Sequence, residues 1–153
     1  MKKITLSIHV DGGVSGTRFA GAAAVARTQE GFFVGWLSRQ LPSMTNNEAE
    51  YHALLLGLKL ARNLEVDQFE IVSDSQVVVR QMCGQSQVNS QRLQQLHKEA
   101  CRFVAVFASV SFRHVPRELN SLADALATEA LSGQTVTMPS LKKNWRQWLK
   151  GRS

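Results

Sequence analysis

The sequence predicts an α/β domain built on one mixed sheet, in which an antiparallel meander continues through helical crossovers into parallel strands. Three observations predict it. Strand-like patterning fills three successive stretches before residue 40, a helical repeat occupies residues 45 to 62, and strand-like and helix-like segments then take turns as far as residue 133. With 153 residues, 44% of them hydrophobic, the chain suits one domain with a substantial core. The expected division is a domain over residues 1–132 followed by a basic amphipathic tail over 133–153. No internal repeat or low-complexity tract interrupts it.

Residues 4 to 11, ITLSIHVD, set Ile4, Leu6, Ile8 and Val10 against Thr5, Ser7, His9 and Asp11, the pattern of a strand that Asp11 closes. The glycines of the following GGVSG predict a turn, and they free the backbone for close approach of a ligand. Strands over Ala20–Arg27 and Gly31–Arg39, joined near Gln29-Glu30-Gly31, complete the meander, and a loop holding Pro42 follows. Residues 45 to 62, TNNEAEYHALLLGLKLAR, read as a helix. Thr45, Asn46 and Asn47 offer capping oxygens, Glu48 and Glu50 fall in the first turn, and Leu54, Leu55, Leu58 and Ala61 recur at helical spacing.

Phe69-Glu70-Ile71-Val72 is a short apolar strand ending at Ser73-Asp74-Ser75. Val77, Val78 and Met82 predict a short helix up to Gly84, and a longer one is expected over 88–103. Ala105 to His114 reads as the last strand, with Val106, Ala108, Val110 and Phe112 on one face and Phe107 on the other, stopped by Pro116. From Asn120, residues Leu122, Ala123, Leu126, Ala127 and Ala130 form the apolar stripe of a final helix ending near Gly133.

Lysine and arginine outnumber the acids 18 to 12, a net charge of +6, which suits a polyanionic partner. Five of the cations, Lys142, Lys143, Arg146, Lys150 and Arg152, lie after residue 141, so the body is close to neutral. Contacts with nucleic acid there must depend on local placement. No apolar run approaches the roughly 20 residues of a membrane span, and the first residues lack a secretory signal, so the expected location is the cytoplasm, with no membrane partner. Cys83 and Cys101 are too few for a disulfide framework and lack zinc spacing; buried free thiols are expected.

Three acids occupy comparable places: Asp11 and Asp74 end strands, and Glu50 begins the helix between them. Asp124 adds a fourth within an alanine-rich helix, where aspartate has weak propensity. Each alone reads as a cap or a solvated charge. Gathered together they would repel one another unless hard cations bound between them, and Mg²⁺-type ions held by oxygen ligands support phosphoryl transfer. No glycine-rich nucleotide loop with lysine, no G-x-S-x-G elbow and no Cys/His pairing offers a rival chemistry.

DGG at Asp11–Gly13, TNNEAEY at Thr45–Tyr51, SDSQ at Ser73–Gln76 and HVPRELNSLADALA at His114–Ala127 resemble the four motifs of type 1 ribonuclease H, in order, over about residues 4 to 131. The resemblance implies a ribonuclease H-like fold with a five-stranded mixed sheet flanked by helices. It also implies cutting of the RNA strand of an RNA–DNA hybrid with two Mg²⁺ or Mn²⁺ ions. Matched by position, Asp11, Glu50, Asp74 and Asp124 are the metal ligands. Gly12, Gly13, Asn46, Asn47 and Gln76 are hybrid contacts, and Thr45 helps hold a DNA-strand phosphate. His114 precedes Asp124 by the spacing of a histidine that assists proton transfer or product release, with a strand-end cap as the alternative; Arg117 contacts a substrate phosphate in members with a V-P-R sequence; and Asn120 caps the last helix.

Three departures stand out. The asparagine that partners Thr45 is replaced by Thr17, the loop around His114 lacks glycines, and residues 84–91, GQSQVNSQ, lack the basic protrusion that grips DNA in many members. Leu141, Trp145, Trp148 and Leu149 share one helical face of the tail, whose cations lie around the rest, so the tail either docks on the domain or grips nucleic acid or another partner. The expected partner is an RNA–DNA hybrid bound by a monomer. Double-stranded RNA is a second substrate class to be tested. A non-catalytic nucleic-acid-binding module of the same fold is the rival reading, opposed by the intact set of four acids.

Overall fold

The computed structural model describes residues 5–15 and 18–133. Five strands, β1 (Leu6–Val14), β2 (Phe19–Thr28), β3 (Phe33–Pro42), β4 (Gln68–Ser73) and β5 (Ser109–His114), form one sheet in the order β3-β2-β1-β4-β5. β1 and β3 flank β2 antiparallel, while β4 runs parallel to both β1 and β5. The helices are α1 (Asn46–Asn63), α2 (Gln76–Met82), α3 (Gln91–Val104) and α4 (Ser121–Ala130), the last preceded by a 3-10 turn at Arg117–Asn120. This is the mixed five-stranded sheet with flanking helices that the sequence predicts. Among the described residues, no helix is long and apolar enough to cross a membrane.

α1 starts where the sequence places it. The Thr45 hydroxyl accepts from the Glu48 amide at 3.2 Å, satisfying one of the amides that a helix start leaves orphaned, and donates to the Glu48 carboxylate at 3.1 Å. Its apolar side then buries Leu54, Leu58, Leu60 and Ala61 against the sheet.

Alanine has little strand preference, yet β2 buries Ala20, Ala22, Ala23, Ala24 and Ala26. The reason is helix approach from both faces. A side chain at Gly57 of α1 would come within 2.6 Å of Val10, and one at Gly21 of β2 within 2.2 Å of the Ala127 carbonyl of α4. Only small residues leave room for both helices.

Several boundaries differ from the sequence reading. β1 does not close at Asp11, because Gly12, Gly13 and Val14 remain paired with Ala22, Gly21 and Ala20. What ends near Asp11 is the pairing with β4, whose last partners are Val10 and Ser73. β3 begins later and runs through Pro42, which an edge strand tolerates because no neighbour needs its missing amide. Residues 105–108 are a turn: the Ala108 amide donates to the Asp67 carboxylate at 2.8 Å, and Phe107 packs edge-on against Phe69. Glu50 lies just beyond the first turn of α1, which holds only Glu48. Val77 is exposed while Val78 and Val79 are buried. Cys83 and Cys101 are exposed free thiols, not buried ones: Cys83 follows the end of α2, and Cys101 lies on the solvent side of α3. Thr17 and residues 134–153 of the expected tail lie outside the described residues.

Candidate active site

Asp11 sits on β1 immediately after the β1–β4 ladder stops, and Asp74 follows the last residue of β4. As the two strands part, their carboxylates turn into the gap, and α1 brings Glu50 to it. Carboxylate oxygens of Asp11, Glu50 and Asp74 all lie within 4.8 Å of one another. Asp11 and Glu50 are buried, and Asp74 is half-buried.

Gly12 makes this convergence sterically feasible. A Cβ there would stand 2.2 Å from the Ala49 carbonyl oxygen, so glycine lets the first turns of α1 press against β1. The Gly12 amide then donates to the Glu50 carboxylate, fixing its direction. Gly13 is different, since a Cβ there would meet nothing within 4 Å. Of the two glycines, the first is required by packing, and the second opens onto the cleft.

Burial holds the Asp11 carboxyl far above the usual carboxylate range, and the nearby charges of Glu50 and Asp74 add to the shift. Glu50 is raised by burial as well, opposed by the Gly12 amide. Asp124, on α4, adds to the upward shift of Asp11 but stands outside the tight group of three. Crowded, buried, oxygen-only donors at a solvent opening are costly for the protein alone, and they match the ligand preference of a hard divalent cation. The residues present therefore fit such an ion.

An open cleft of about 520 Å³ spreads from these acids, lined by Gly12, Gly13, Asn46, Asn47, Gln76 and Arg117 as well. Residues 9–130 match the family described as reverse transcriptase-like. The chain is 41% identical to ribonuclease HI of Halobacterium salinarum over 87 residues, which are 57% of this chain and 44% of that protein. The crystal structure of ribonuclease H1 from Halobacterium salinarum superposes with a TM-score of 0.81 at 33% identity, covering 85% of this chain and 99% of that one. This chain belongs to the type 1 ribonuclease H family. It spans only 35% to 44% of the length of the curated relatives it matches. LC11-RNase H1, solved in complex with an RNA/DNA hybrid, is similar at 29% identity and a TM-score of 0.79, covering 84% of this chain and 98% of that one.

In this family member, the four acids and the amides of Asn46, Asn47 and Gln76 share one cleft, and so does Arg117, whose Nη2 reaches Asp124 Oδ1 at 3.4 Å. Thr45 is the α1 cap and is not among the cleft-lining residues. His114 is exposed at the end of β5, paired with Ser73, and is likewise outside the lining. Asn120 does not cap α4 with its side chain, which is engaged elsewhere. Two apolar cleft residues, Val14 and Val77, were not among the site residues expected from the sequence, and each is roughly two-fifths exposed. Their signal is faint: a valine beside a glycine pair and one at a helix start both read as ordinary core candidates.

Proposed function

We propose that this ribonuclease H is a divalent-metal-dependent endonuclease that hydrolyses the RNA strand of RNA–DNA hybrids. The observation that carries the reading is the convergence of Asp11, Glu50 and Asp74 within 4.8 Å, with Asp124 beside them, at the floor of a cleft walled by side-chain amides. Mg²⁺ or Mn²⁺ ions bound to these carboxylates, two in the fullest version, would acidify an attacking water and neutralise charge on the leaving oxygen. The protein's own part is to place the groups. Gly12 holds Glu50 by its amide, burial keeps Asp11 from solvating itself, and Asn46, Asn47 and Gln76 offer donors and acceptors to base edges and 2′-hydroxyls along the minor groove. Gly13 leaves room for the sugar–phosphate backbone. Arg117 supplies a cation for a phosphate. His114, on the exposed end of β5, assists proton transfer or release from outside the acid cluster.

The experiment is cleavage of labelled RNA–DNA hybrid, duplex RNA and duplex DNA, each with Mg²⁺, Mn²⁺ or chelator. Metal-dependent internal cuts in the RNA of the hybrid are expected. Hybrid bound but uncut under all metal conditions would replace the enzyme with a binding module, and equal cutting of duplex RNA would broaden the substrate class.

A further inference from the structure

Asn120 is only 2% exposed, although it stands at the mouth of a helix. Its Nδ2 donates to the Val10 carbonyl oxygen at 2.8 Å, and its Oδ1 lies 3.3 Å from Nδ1 of His9. The first bond decides the second. With Nδ2 committed to Val10, the amide oxygen can only accept, so His9 presents Nδ1–H to it. Val10 is the last β1 residue paired with β4, and it immediately precedes Asp11. At its other end, Asn120 enters α4 and stands four residues, about one helical turn, before Asp124.

The geometry points to His9 and Asn120 as a positioning pair that sets where the Asp124 carboxylate stands relative to Asp11. The ring of His9 orients the amide, the amide clamps the start of α4 to the carbonyl beside Asp11, and one turn later α4 presents Asp124 to the cleft it shares with Asp11. The far end of α4 is anchored independently, where Ala127 meets Gly21. Loss of the clamp therefore frees the turn that carries Asp124 and leaves the rest of the helix docked. Partners that orient metal-binding side chains typically govern affinity or activity by about 10- to 100-fold. The inference rests on the reading of Asp124 as one of the cation-holding acids.

Four variants test it: His9→Leu, His9→Asn, Asp124→Asn and the double variant His9→Leu with Asp124→Asn. Mn²⁺ affinity is read on the substrate-free protein by electron paramagnetic resonance, and kcat and KM on the hybrid, at a temperature where circular dichroism shows each variant folded. His9→Leu should weaken Mn²⁺ binding by about tenfold and lower kcat with little change in KM. His9→Asn should recover most of the loss, because its Nδ2 stands where the histidine carries Nδ1. In the double variant, the leucine should add nothing to the defect of Asp124→Asn, as expected for residues acting through one group. Parent-like Mn²⁺ affinity in His9→Leu, failure of His9→Asn to recover it, or additive losses in the double variant would each overturn the pair's role. The titration decides this even if the parent cuts no hybrid, an outcome that sinks the nuclease reading by itself.

Discussion

Glu48 and Glu50 stand two residues apart in one helix and face different problems. Glu48 belongs to the helix start: it pairs with Thr45 and lies 3.8 Å from the exposed Arg92. Glu50 is buried, held by the Gly12 amide and grouped with Asp11 and Asp74. Glu48→Gln should cleave hybrid as the parent does, since a glutamine side-chain oxygen can still accept from the Thr45 hydroxyl and the lost surface ion pair matters little. Glu50→Gln and Asp74→Asn should each lose at least about 100-fold in kcat, more than loss of an outer partner usually costs, with the fold intact by circular dichroism. Equal effects at 48 and 50 would show that the acid cluster is not the reacting centre. Asp11 offers a test without substrate. Its carboxyl binds its proton more tightly in the folded chain than in the unfolded one, so between the two pKa values the folded state holds more protons and stability falls as pH rises. In chelator the melting temperature should drop as pH climbs above the usual carboxylate range. Asp11→Asn should flatten that slope and melt higher than the parent at pH 8, and added Mg²⁺ should raise the parent but not the variant. A chelated parent whose stability is flat across this range would remove the crowding argument.

At the scale of elements, the site depends on how closely α1 approaches β1. Gly12→Ala would drive a methyl into the backbone of Ala49, and overpacking of this kind costs about 1–3 kcal/mol even where side chains can yield. Gly13→Ala meets open space and should stay within about 0.5 kcal/mol, as surface changes usually do. Urea denaturation of the two variants distinguishes them, and equal midpoints would mean that α1 does not press on Gly12. The elements themselves were legible from the sequence, because their patterns are local: alternation in β1, leucine spacing in α1, alanines along α4. Their ends were less so. Whether Gly12 to Val14 turn or stay extended depends on β2 being there to pair with them, and whether residues 105–108 join β5 depends on Asp67 capturing the Ala108 amide. Partners distant in sequence decide both.

For the whole molecule, the sequence concentrates Lys142, Lys143, Arg146, Lys150 and Arg152 beyond the last described residue, while residues 84–91 carry no cation. If that tail grips the hybrid, deletion of residues 139–153 should raise KM more than it lowers kcat. It should also make the slope of log affinity against log salt shallower by roughly 0.7–0.9 for each phosphate that the shortened protein no longer neutralises. A lower melting temperature with unchanged affinity and salt slope would make the tail a structural latch instead. By itself, the sequence determined the order and type of the elements, the family, and which four acids to watch, because periodicity and motif spacing are written along the chain. Only the tertiary structure decided which of those acids stand within ligand distance, that Gly12 serves packing while Gly13 opens the cleft, that both cysteines face solvent, and that Asn120 braces β1 instead of capping α4. Those outcomes turn on which atoms meet across 38 residues from Gly12 to Glu50 and 110 from Val10 to Asn120, and a one-dimensional pattern carries no distances between them.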